Sequence, residues 1–396
     1  MTTRPVIAML LSNAFRPDPR VLKEAGTLAR GGYAVTVIAW DREGRYPAVE
    51  QVQAGEGTAF TVQRVQGVRS SYGAGLRQAL RLPRFWLTAW RRLNGLRPEV
   101  VHCHDFDTLP AGWLWARLHR RAVIYDAHEY YTELQQPRLG GSGIGRLLLR
   151  LIGAAEQALS RTASAVITVD ERIARRYHNR RVVVVGHYPP RDFAPQSLDM
   201  AATKLAQPTE PATLIYAGRL SSDRGMLVIA AALQRLAQQG LHPRLRLLGT
   251  WTNPAEAQAF TAATRGLEAQ IEEVGWVPFE QVAAQMQQCD IALALLQPIP
   301  RYIAALPVKL FEYMACGLPM VISDFPANRE VVAAADCGLL VDPANVDAVS
   351  EALARLLADP AEAHRLGENG RRAFEMHTNW QALEPKLLAV YAEITE

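Results

Sequence analysis

An alternation between two kinds of segment, repeated along almost the whole chain, constrains the fold most. Short, near-continuous apolar runs bounded by turn residues are separated by longer amphipathic stretches. Six runs lie in the first half and five in the second: "VIAMLL", "AVTVIAW", "EVVHCH", "AVIYDA", "AVITV" and "RVVVVG", then "TLIYAG", "RLRLLG", "DIALALL", "PMVIS" and "GLLVD". Such runs are typical of parallel strands buried on both faces, with helices as crossovers. The sequence therefore predicts the α/β class, with a doubly wound parallel sheet in each half.

The length of 396 residues exceeds what one ordinary core holds. A Pro-rich stretch without periodicity lies between the two halves, at 186–213. The predicted divisions are an N-terminal Rossmann-like domain at 1–190, a linker at 191–211, a C-terminal Rossmann-like domain at 212–378, and a last helix at 379–396 that crosses back to the first domain. Two facing domains would leave a cleft lined by the carboxyl ends of both sheets, where such sheets bind ligands.

Composition narrows the class of protein. Hydrophobic residues make up 49% of the chain and charged residues 21%, which is typical of an ordered globular protein. The four cysteines are far apart, so neither a disulfide framework nor a zinc site is expected. The opening "VIAMLL" is too short for a signal peptide core, and no apolar run approaches a membrane span. We expect a cytoplasmic protein without a nucleic-acid partner.

The charge is unevenly distributed along the chain. Residues 1–190 contain 27 Lys and Arg against 15 Asp and Glu, whereas the remaining residues contain 16 against 24. The N-terminal half is therefore expected to meet an acidic partner or an anionic membrane surface. Two basic amphipathic helices are predicted, at 82–97 and 145–161. We expect the first to pack Trp86, Trp90 and Leu93 on the sheet.

The second of these helices carries a stripe of Arg146, Arg150 and Arg161. Its apolar side is predicted to be the opposite one, and that side contains Leu148, Ile152, Ala155 and Leu159. Packing of the apolar side on the sheet is one interpretation. The arginines could still contact lipid headgroups at the inner face of a membrane.

One lysine of the C-terminal half is predicted to lie at the start of a helix, where a positive charge is unfavourable. The segment "PVKLFEYMACGLP" predicts a helix that starts at Pro307 and ends before Gly317. Lys309 falls in its first turn, where the helix dipole favours negative charge. One interpretation is a surface ion pair between Lys309 and Glu312. The other is that both residues face a bound anion, with free backbone donors at the helix start.

A second cationic loop follows the strand "TLIYA". Its sequence, "GRLSSDRG", places Arg219 and Arg224 where a helix start would meet phosphate. The loop has neither the ending of a Walker loop nor the Gly-x-Gly-x-x-Gly fingerprint, so a dinucleotide-dependent oxidoreductase is not expected. The alternative interpretation is a solvated loop.

Histidines and carboxylates follow two strands of the first half. The first group contains His102, His104, Asp105 and Asp107, and the second, in "DAHE", contains Asp126, His128 and Glu129. Both groups fall at strand ends, where ligands are expected. The spacing fits no tetrahedral metal site well, and the "DFD" triplet is a weak match to the Asp-x-Asp of metal-dependent transferases. No metal is therefore expected.

Each member of these groups also has a structural interpretation. Asp107 or Thr108 is predicted to cap the following helix, and His102 is predicted to lie in the core. His128, followed by an acidic residue and a loop, is predicted to be functional.

Together these segments resemble a known family. "PVKLFEYMACGLPMV", "YAGRLSSDRG", "GWVP", "HCHDFDTLPAG", "YDAHE" and "GRRAFEMHTNW" are similar to motifs of the retaining nucleotide-sugar glycosyltransferases of family 4, which have the GT-B fold. The resemblance covers nearly the whole chain. It implies a hexosyltransferase that moves a sugar from a nucleoside diphosphate of the UDP or GDP type to a glycan, a lipid-linked or a small-molecule acceptor in envelope polysaccharide synthesis.

The resemblance also implies roles for individual residues. Arg219, Arg224 and Lys309 would act on the donor diphosphate, with Arg224 where the family usually has lysine, and Glu312 would bond the ribose. His128 would act beside the transferred sugar without attacking it. The remaining donor-side residues would be Gly218, Gly249, Thr250, Gly275, Trp276, Val277, Tyr302 and Leu310. The acceptor side would contain His104, Asp105, Asp126, His128 and Glu129.

With these cations around the diphosphate, no cofactor and no magnesium is expected. Two departures from the family pattern bear on this assignment. Ala304 stands where the family has the first glutamate of its Glu-x7-Glu motif, and the first loop, "SNAFRPDPR", lacks a glycine pair. The sugar would then be held differently, through Tyr302 or backbone donors. Two other functions stay open: a nucleotide-sugar epimerase of the same fold, and a non-catalytic subunit that binds nucleotide sugars or glycans.

Overall fold

A computed structural model describes residues 4–16, 18–55, 57–70, 80–194, 211–303 and 305–395. The chain forms two compact units, one of residues 1–187 with 383–396 and the other of residues 188–382. Of the predicted linker, residues 195–210 lie outside the described part, as does Ala304. The described start of that stretch is a short turn, Arg191–Phe193, and Phe193 is buried in the core of the second unit.

The sheet of the first unit has eight strands in the order β3-β4-β2-β1-β5-β6-β7-β8. They are β1 (Val6–Leu11), β2 (Ala34–Trp40), β3 (Val49–Gly55), β4 (Thr58–Val65), β5 (Val100–His104), β6 (Ala122–Ala127), β7 (Ala165–Thr168) and β8 (Val182–Val184). Every neighbouring pair is parallel except the β3–β4 hairpin at the edge.

The helices of the first unit are α1 (Pro19–Arg30), α2 (Leu82–Leu96), α3 (Leu109–His119), α4 (Tyr131–Leu139), α5 (Gly143–Arg161) and α6 (Glu171–Ala174). Helix α1 begins after Asp18, whose carboxylate accepts from the backbone N–H of Val21, and Pro19 occupies the first turn. In α2, Leu93 is buried while Trp86 and Trp90 pack partly buried against the core, which confirms the packing predicted for that face.

The second unit has a wholly parallel six-stranded sheet in the order β11-β10-β9-β12-β13-β14. Its strands are β9 (Thr213–Ala217), β10 (Arg244–Leu248), β11 (Ile271–Gly275), β12 (Ile291–Ala294), β13 (Met320–Ser323) and β14 (Gly338–Val341). Its helices are α7 (Met226–Gln238), α8 (Pro254–Ala263), α9 (Phe279–Met286), α10 (Pro300–Ile303), α11 (Val308–Ala315), α12 (Pro326–Ala335), α13 (Val346–Ala358) and α14 (Pro360–Met376).

The last helix, α15 (Trp380–Thr395), begins in the second unit, and its residues from Leu383 onward belong to the first. There Glu384 accepts from the hydroxyl of Thr27 at 2.8 Å, and Tyr391 is fully buried. None of the helices in the described part of the chain combines the length and the apolar character that crossing a bilayer requires.

The fold class predicted from the sequence, two doubly wound parallel-sheet domains of Rossmann type, is confirmed. In the first sheet the strand order reverses direction between β1 and β5, and in the second between β9 and β12. Open α/β sheets bind ligands at the carboxyl ends of strands beside such a reversal. The loops after β1 and β5, and after β9 and β12, flank these two reversals, and the loops after β6 and β10 lie one strand further along the same edges.

Candidate functional site

Glycines bring the loops of the second unit close together. Gly218 follows β9 with φ 128°, and Gly249 follows β10 with φ 152°, a region that side chains other than glycine rarely adopt. A Cβ atom at Gly249 would lie 1.8 Å from the carbonyl oxygen of Gly218, and one at Gly218 would lie 2.2 Å from Nζ of Lys309. Gly249 is required because a Cβ there would collide with backbone, whereas at Gly218 the positive φ favours glycine and a Cβ would push the Lys309 ammonium aside.

Lys309 is half-buried in the first turn of α11. Its ammonium donates to the hydroxyl of Tyr216 at 3.2 Å and lies 4.3 Å from the centre of that ring. Burial, together with the positive charges of Arg224 and Arg219 and against the charge of Glu312, lowers the pKa of Lys309 to about 7. The ammonium therefore contacts Tyr216 and lies in the electrostatic field of Arg224, Glu312 and Arg219.

The loop between β9 and α7 holds the two arginines. Arg219 is exposed, and Arg224 is half-buried with its guanidinium 5.5 Å from the ring centre of Tyr302. Tyr302 is buried and donates to Asp223 at 3.1 Å. Burial raises the pKa of Tyr216 to about 12, against the charge of Arg224. The structure thus brings the three predicted cations to one end of the second sheet.

The other predicted donor-side residues have differing surroundings. Trp276 is 69% exposed, Thr250 is exposed, and Val277 packs partly buried against the core. Glu312 is half-buried on α11. Leu310 is fully buried in the core and its backbone N–H donates to Pro307, so it can support the site only by packing.

In the first unit, His128 lies between two carboxylates just after β6. Its Nε2 donates to Asp126 at 2.9 Å, and its Nδ1 is 3.6 Å from Asp105. Burial opposes the charged form, but the two carboxylates outweigh it and raise the pKa of His128 to about 10. His104 is buried with its Nδ1 3.2 Å from Nε2 of His128, whereas Glu129 is exposed. Four of the five predicted acceptor-side residues therefore form one contiguous group.

Asp105 itself is a backbone outlier. It has φ 60° at the end of β5, and its N–H donates to the carbonyl of Asp126 at 3.0 Å. Burial raises the pKa of the Asp105 carboxyl to about 7, although the charge of His128 opposes the shift. Residues other than glycine in this conformation store strain that is tolerated where a fixed side-chain direction is needed.

A buried arginine binds the Asp126 carboxylate of this group. Arg20 donates to both oxygens of Asp126, at 2.8 and 3.0 Å, and lies 3.0 Å from Glu24. The charge of Arg20 holds the pKa of Asp126 well below its usual range, even though burial acts in the opposite direction. Sequence reasoning missed Arg20 and Glu24 as site residues, although their spacing of four along a helix is a recognisable ion-pair pattern.

Four residues here could offer ligands to a metal ion. Glu24, His102, His104 and Asp126 each place one ligand atom within 4.8 Å of the others. The guanidinium of Arg20 already pairs with both carboxylates, so an ion would lie beside a fixed positive charge. Repulsion between the two cations opposes metal binding, and the residues fit an ion-paired network better than a metal centre.

Two structural predictions for this region have different outcomes. His102 is buried, stacks on His104 and hydrogen-bonds through Nδ1 to the hydroxyl of Tyr391, so its place in the core is confirmed. The predicted side-chain cap of α3 is wrong. Thr108 occupies the cap position but its hydroxyl donates to the carbonyl of His104 at 2.7 Å, and the buried Oδ1 of Asp107 has no hydrogen-bond partner among the described residues.

Comparison with known proteins agrees with the two-unit architecture. The family description Glycosyltransferase Family 4 matches residues 20–187, and Glycosyl transferases group 1 matches residues 200–373. An MMP alpha-(1->4)-mannosyltransferase of Mycolicibacterium hassiacum is 37% identical over 327 residues, which cover 78% of this chain and 74% of that protein. The chain belongs to the group 1 glycosyltransferases.

This glycosyltransferase is also similar to a second curated protein and to a solved structure. WcaL of Salmonella typhimurium, named as a colanic acid biosynthesis glycosyltransferase, is 29% identical over 160 residues, so the match spans only 39% of either chain. The solved structure of HepE from Anabaena in complex with UDP has a TM-score of 0.69 and 14% identity, and covers 98% of this chain and 99% of HepE. The latter likeness confirms the GT-B fold.

Proposed function

We propose that this glycosyltransferase moves a hexose from a nucleoside diphosphate to an acceptor hydroxyl with retention of anomeric configuration. The acceptor in this proposal is a glycan or a lipid-linked sugar of envelope polysaccharide synthesis. WcaL supports this class by its name, and the mannosyltransferase relative supports a hexose as the transferred group. The UDP bound to HepE supports a donor of the UDP or GDP type.

One observation carries the donor half of the proposal. The Lys309 ammonium lies so close to Gly218 that a Cβ there would stand 2.2 Å from Nζ, and it lies in the positive field of Arg224 and Arg219. Cleavage of a sugar–phosphate bond leaves negative charge on the diphosphate, and preorganised cations and backbone donors stabilise that charge most. Burial and the two arginines disfavour the charged form of Lys309, and a bound anion would stabilise that form.

The anomeric configuration is retained if the leaving diphosphate, held by these cations, takes the acceptor proton. In this step the bond between the sugar C1 and the phosphate oxygen breaks, and the acceptor oxygen bonds to C1 on the same face. The acceptor proton passes to the leaving phosphate oxygen. Because the His128 imidazolium is already protonated, it would serve as a hydrogen-bond donor to the sugar and not as the base.

The transfer is proposed to proceed without a metal, because the cations of the second unit supply the charge that magnesium otherwise contributes. Activity should survive excess EDTA. Activity that disappears with EDTA and returns with manganese would instead favour a metal held by Asp105 and Asp107.

A donor screen tests the function directly. The purified chain is incubated with UDP-, GDP- and ADP-sugars without acceptor, and products are followed by mass spectrometry and NMR. We expect slow hydrolysis of one donor class to free sugar and nucleoside diphosphate. A changed sugar still bound to its nucleotide would identify an epimerase. Tight donor binding without any turnover, also with a range of acceptors, would identify a non-catalytic subunit.

A further inference from the structure

The outer face of α5 exposes large apolar side chains to solvent. Ile144, Leu147, Leu148 and Leu151 are 84%, 57%, 42% and 59% exposed. Their spacing of three, four and seven residues places them on one stripe along the helix. Packing of Leu148 on the sheet, one of the interpretations of this helix, is therefore excluded, since the buried side of α5 is the one that contains Leu149. Contiguous exposed apolar surface of this kind indicates a binding surface.

A basic strip runs beside the apolar stripe. Arg146, Arg150 and Arg161 are exposed and lie roughly a third of a turn around the helix from the leucines, at 3.6 residues per turn. Guanidinium groups bind phosphate through two parallel hydrogen bonds, which a lysine ammonium does not offer. The strip thus suits phosphate groups held side by side.

The basic strip ends at an open depression of about 450 Å³. Its lining consists of Tyr130, Gln157, Arg161, Arg176 and His178. Arg176 lies 4.4 Å from the ring centre of Tyr130 and also pairs with Glu133. The lining places the guanidinium of Arg161 beside that of Arg176, which Glu133 partly neutralises, so the depression can hold an anionic group.

We propose that this face of α5 docks the first unit on an anionic lipid bilayer. The four aliphatic side chains enter the boundary between headgroups and acyl chains, the arginine strip contacts lipid phosphates, and the depression holds one of them. The excess of Lys and Arg over the first 190 residues, 27 against 15 acidic residues, complements such a surface.

A bilayer fits this face better than a protein partner does. The apolar stripe contains Ile and Leu, whereas the anchors of protein interfaces are mostly Trp, Tyr and Arg. Aliphatic groups next to arginines are typical of helices that lie in a membrane interface. This docking goes beyond the proposed transfer and does not depend on it, since it is measured without a donor.

Vesicle co-sedimentation of the full-length chain tests the proposal. Vesicles of phosphatidylcholine alone are compared with vesicles containing phosphatidylglycerol, at low and at high salt. We expect at least tenfold tighter partition onto the anionic vesicles, weakening as salt rises. Equal or absent binding to both compositions at low salt would overturn the proposal.

Variants separate the two parts of the surface. Leu147→Ser with Leu151→Ser, and separately Arg146→Gln with Arg150→Gln, should each lower partition about tenfold. The matched control is Leu118→Ser, which removes a leucine that is 65% exposed on α3, and its partition should be unchanged. Circular dichroism confirms that each variant is folded. Variants that bind like the unmodified chain, or a control that loses binding equally, would contradict the assignment.

Other occupants of the face give different results. Millimolar inorganic phosphate that abolishes vesicle binding, with the leucine variants unaffected, would assign the face to free phosphate. A dimer in size-exclusion chromatography that the leucine variants disrupt would assign it to a second copy of this chain. Either result overturns membrane docking.

Discussion

Binding of a nucleoside diphosphate should draw a proton onto Lys309. In the free chain the pKa of Lys309 is about 7, so about one tenth of the molecules carry its charge at pH 8. A bound diphosphate would restore the pKa to at least its ordinary value near 10.5, where the ammonium is almost fully charged. The expected uptake by Lys309 is therefore about 0.9 proton per diphosphate at pH 8.

Isothermal titration calorimetry measures this uptake. UDP or GDP, whichever binds, is titrated at pH 8 in buffers of different ionisation enthalpy, and the slope of the apparent enthalpy gives the number of protons. The ligand contributes little, because the last phosphate proton of a diphosphate leaves near pH 6, as for phosphoamino acids. Lys309→Met should abolish the uptake, and Lys386→Met, at an exposed lysine, should leave it intact. An unmodified chain that takes up no proton, or a Lys309→Met variant that takes up as many, would refute the reasoning.

The same lysine predicts how stability depends on pH without ligand. The unfolded chain holds the Lys309 proton up to about pH 10.5, whereas the folded chain loses it near pH 7. The unfolded state binds more protons in this window, so this group makes the free energy of unfolding rise with pH, by at most about 1.4 kcal/mol per pH unit. Urea unfolding at several pH values should show a smaller slope in Lys309→Met than in Lys386→Met.

Two further predictions address the loops around the site. Gly218→Ala should lower kcat/KM for the donor about 10²-fold, because its Cβ would displace the Lys309 ammonium. The control is Gly240→Ala, also at positive φ (79°) but with no described atom within 4 Å of its Cβ, and it should leave kcat/KM unchanged. Asp126→Asn should lower the pKa of His128 below about 10, since one of the two carboxylates that raise it is removed, and activity should then fall at a lower pH than in the unmodified chain. An unchanged His128 pKa, followed by NMR of labelled histidine, would contradict the proposed role of His128 as a charged hydrogen-bond donor.

Most of the sheet architecture could be predicted from the sequence, because buried parallel strands produce near-continuous apolar runs. The hairpin at the edge of the first sheet was not predicted, because neither of its strands is a near-continuous apolar run. Its strands, Val49–Gly55 and Thr58–Val65, alternate buried with partly or fully exposed residues and contain several glutamines and a glutamate. Strands solvated on one side have no continuous apolar run, and they are predicted instead from alternating apolar and polar residues.

The candidate site was predictable in part. The motifs indicated Arg219, Arg224 and Lys309, but Tyr216 contacts Lys309 from inside a strand, where an aromatic residue looks like ordinary core. Arg20 pairs with Asp126 across a separation of 106 residues, and no local pattern predicts so distant a contact.

The sequence pattern also did not determine which side of α5 is exposed. The helical period identified the apolar side chains of this segment, but the period alone does not decide which of two neighbouring apolar sides faces the sheet. Leu149 is buried and Leu148 is 42% exposed, although they are adjacent in the sequence. That choice is made by tertiary packing against the rest of the first unit.

The central claim, that the cations of the second unit stabilise a leaving diphosphate, is tested most directly by the rate of donor cleavage in Lys309→Ala and Arg219→Ala. Each substitution should lower kcat by about 10²- to 10³-fold, which corresponds to about 3 to 4 kcal/mol of transition-state stabilisation. Lys386→Ala serves as the control and should turn over normally. Unchanged turnover in folded Lys309→Ala or Arg219→Ala would contradict the account.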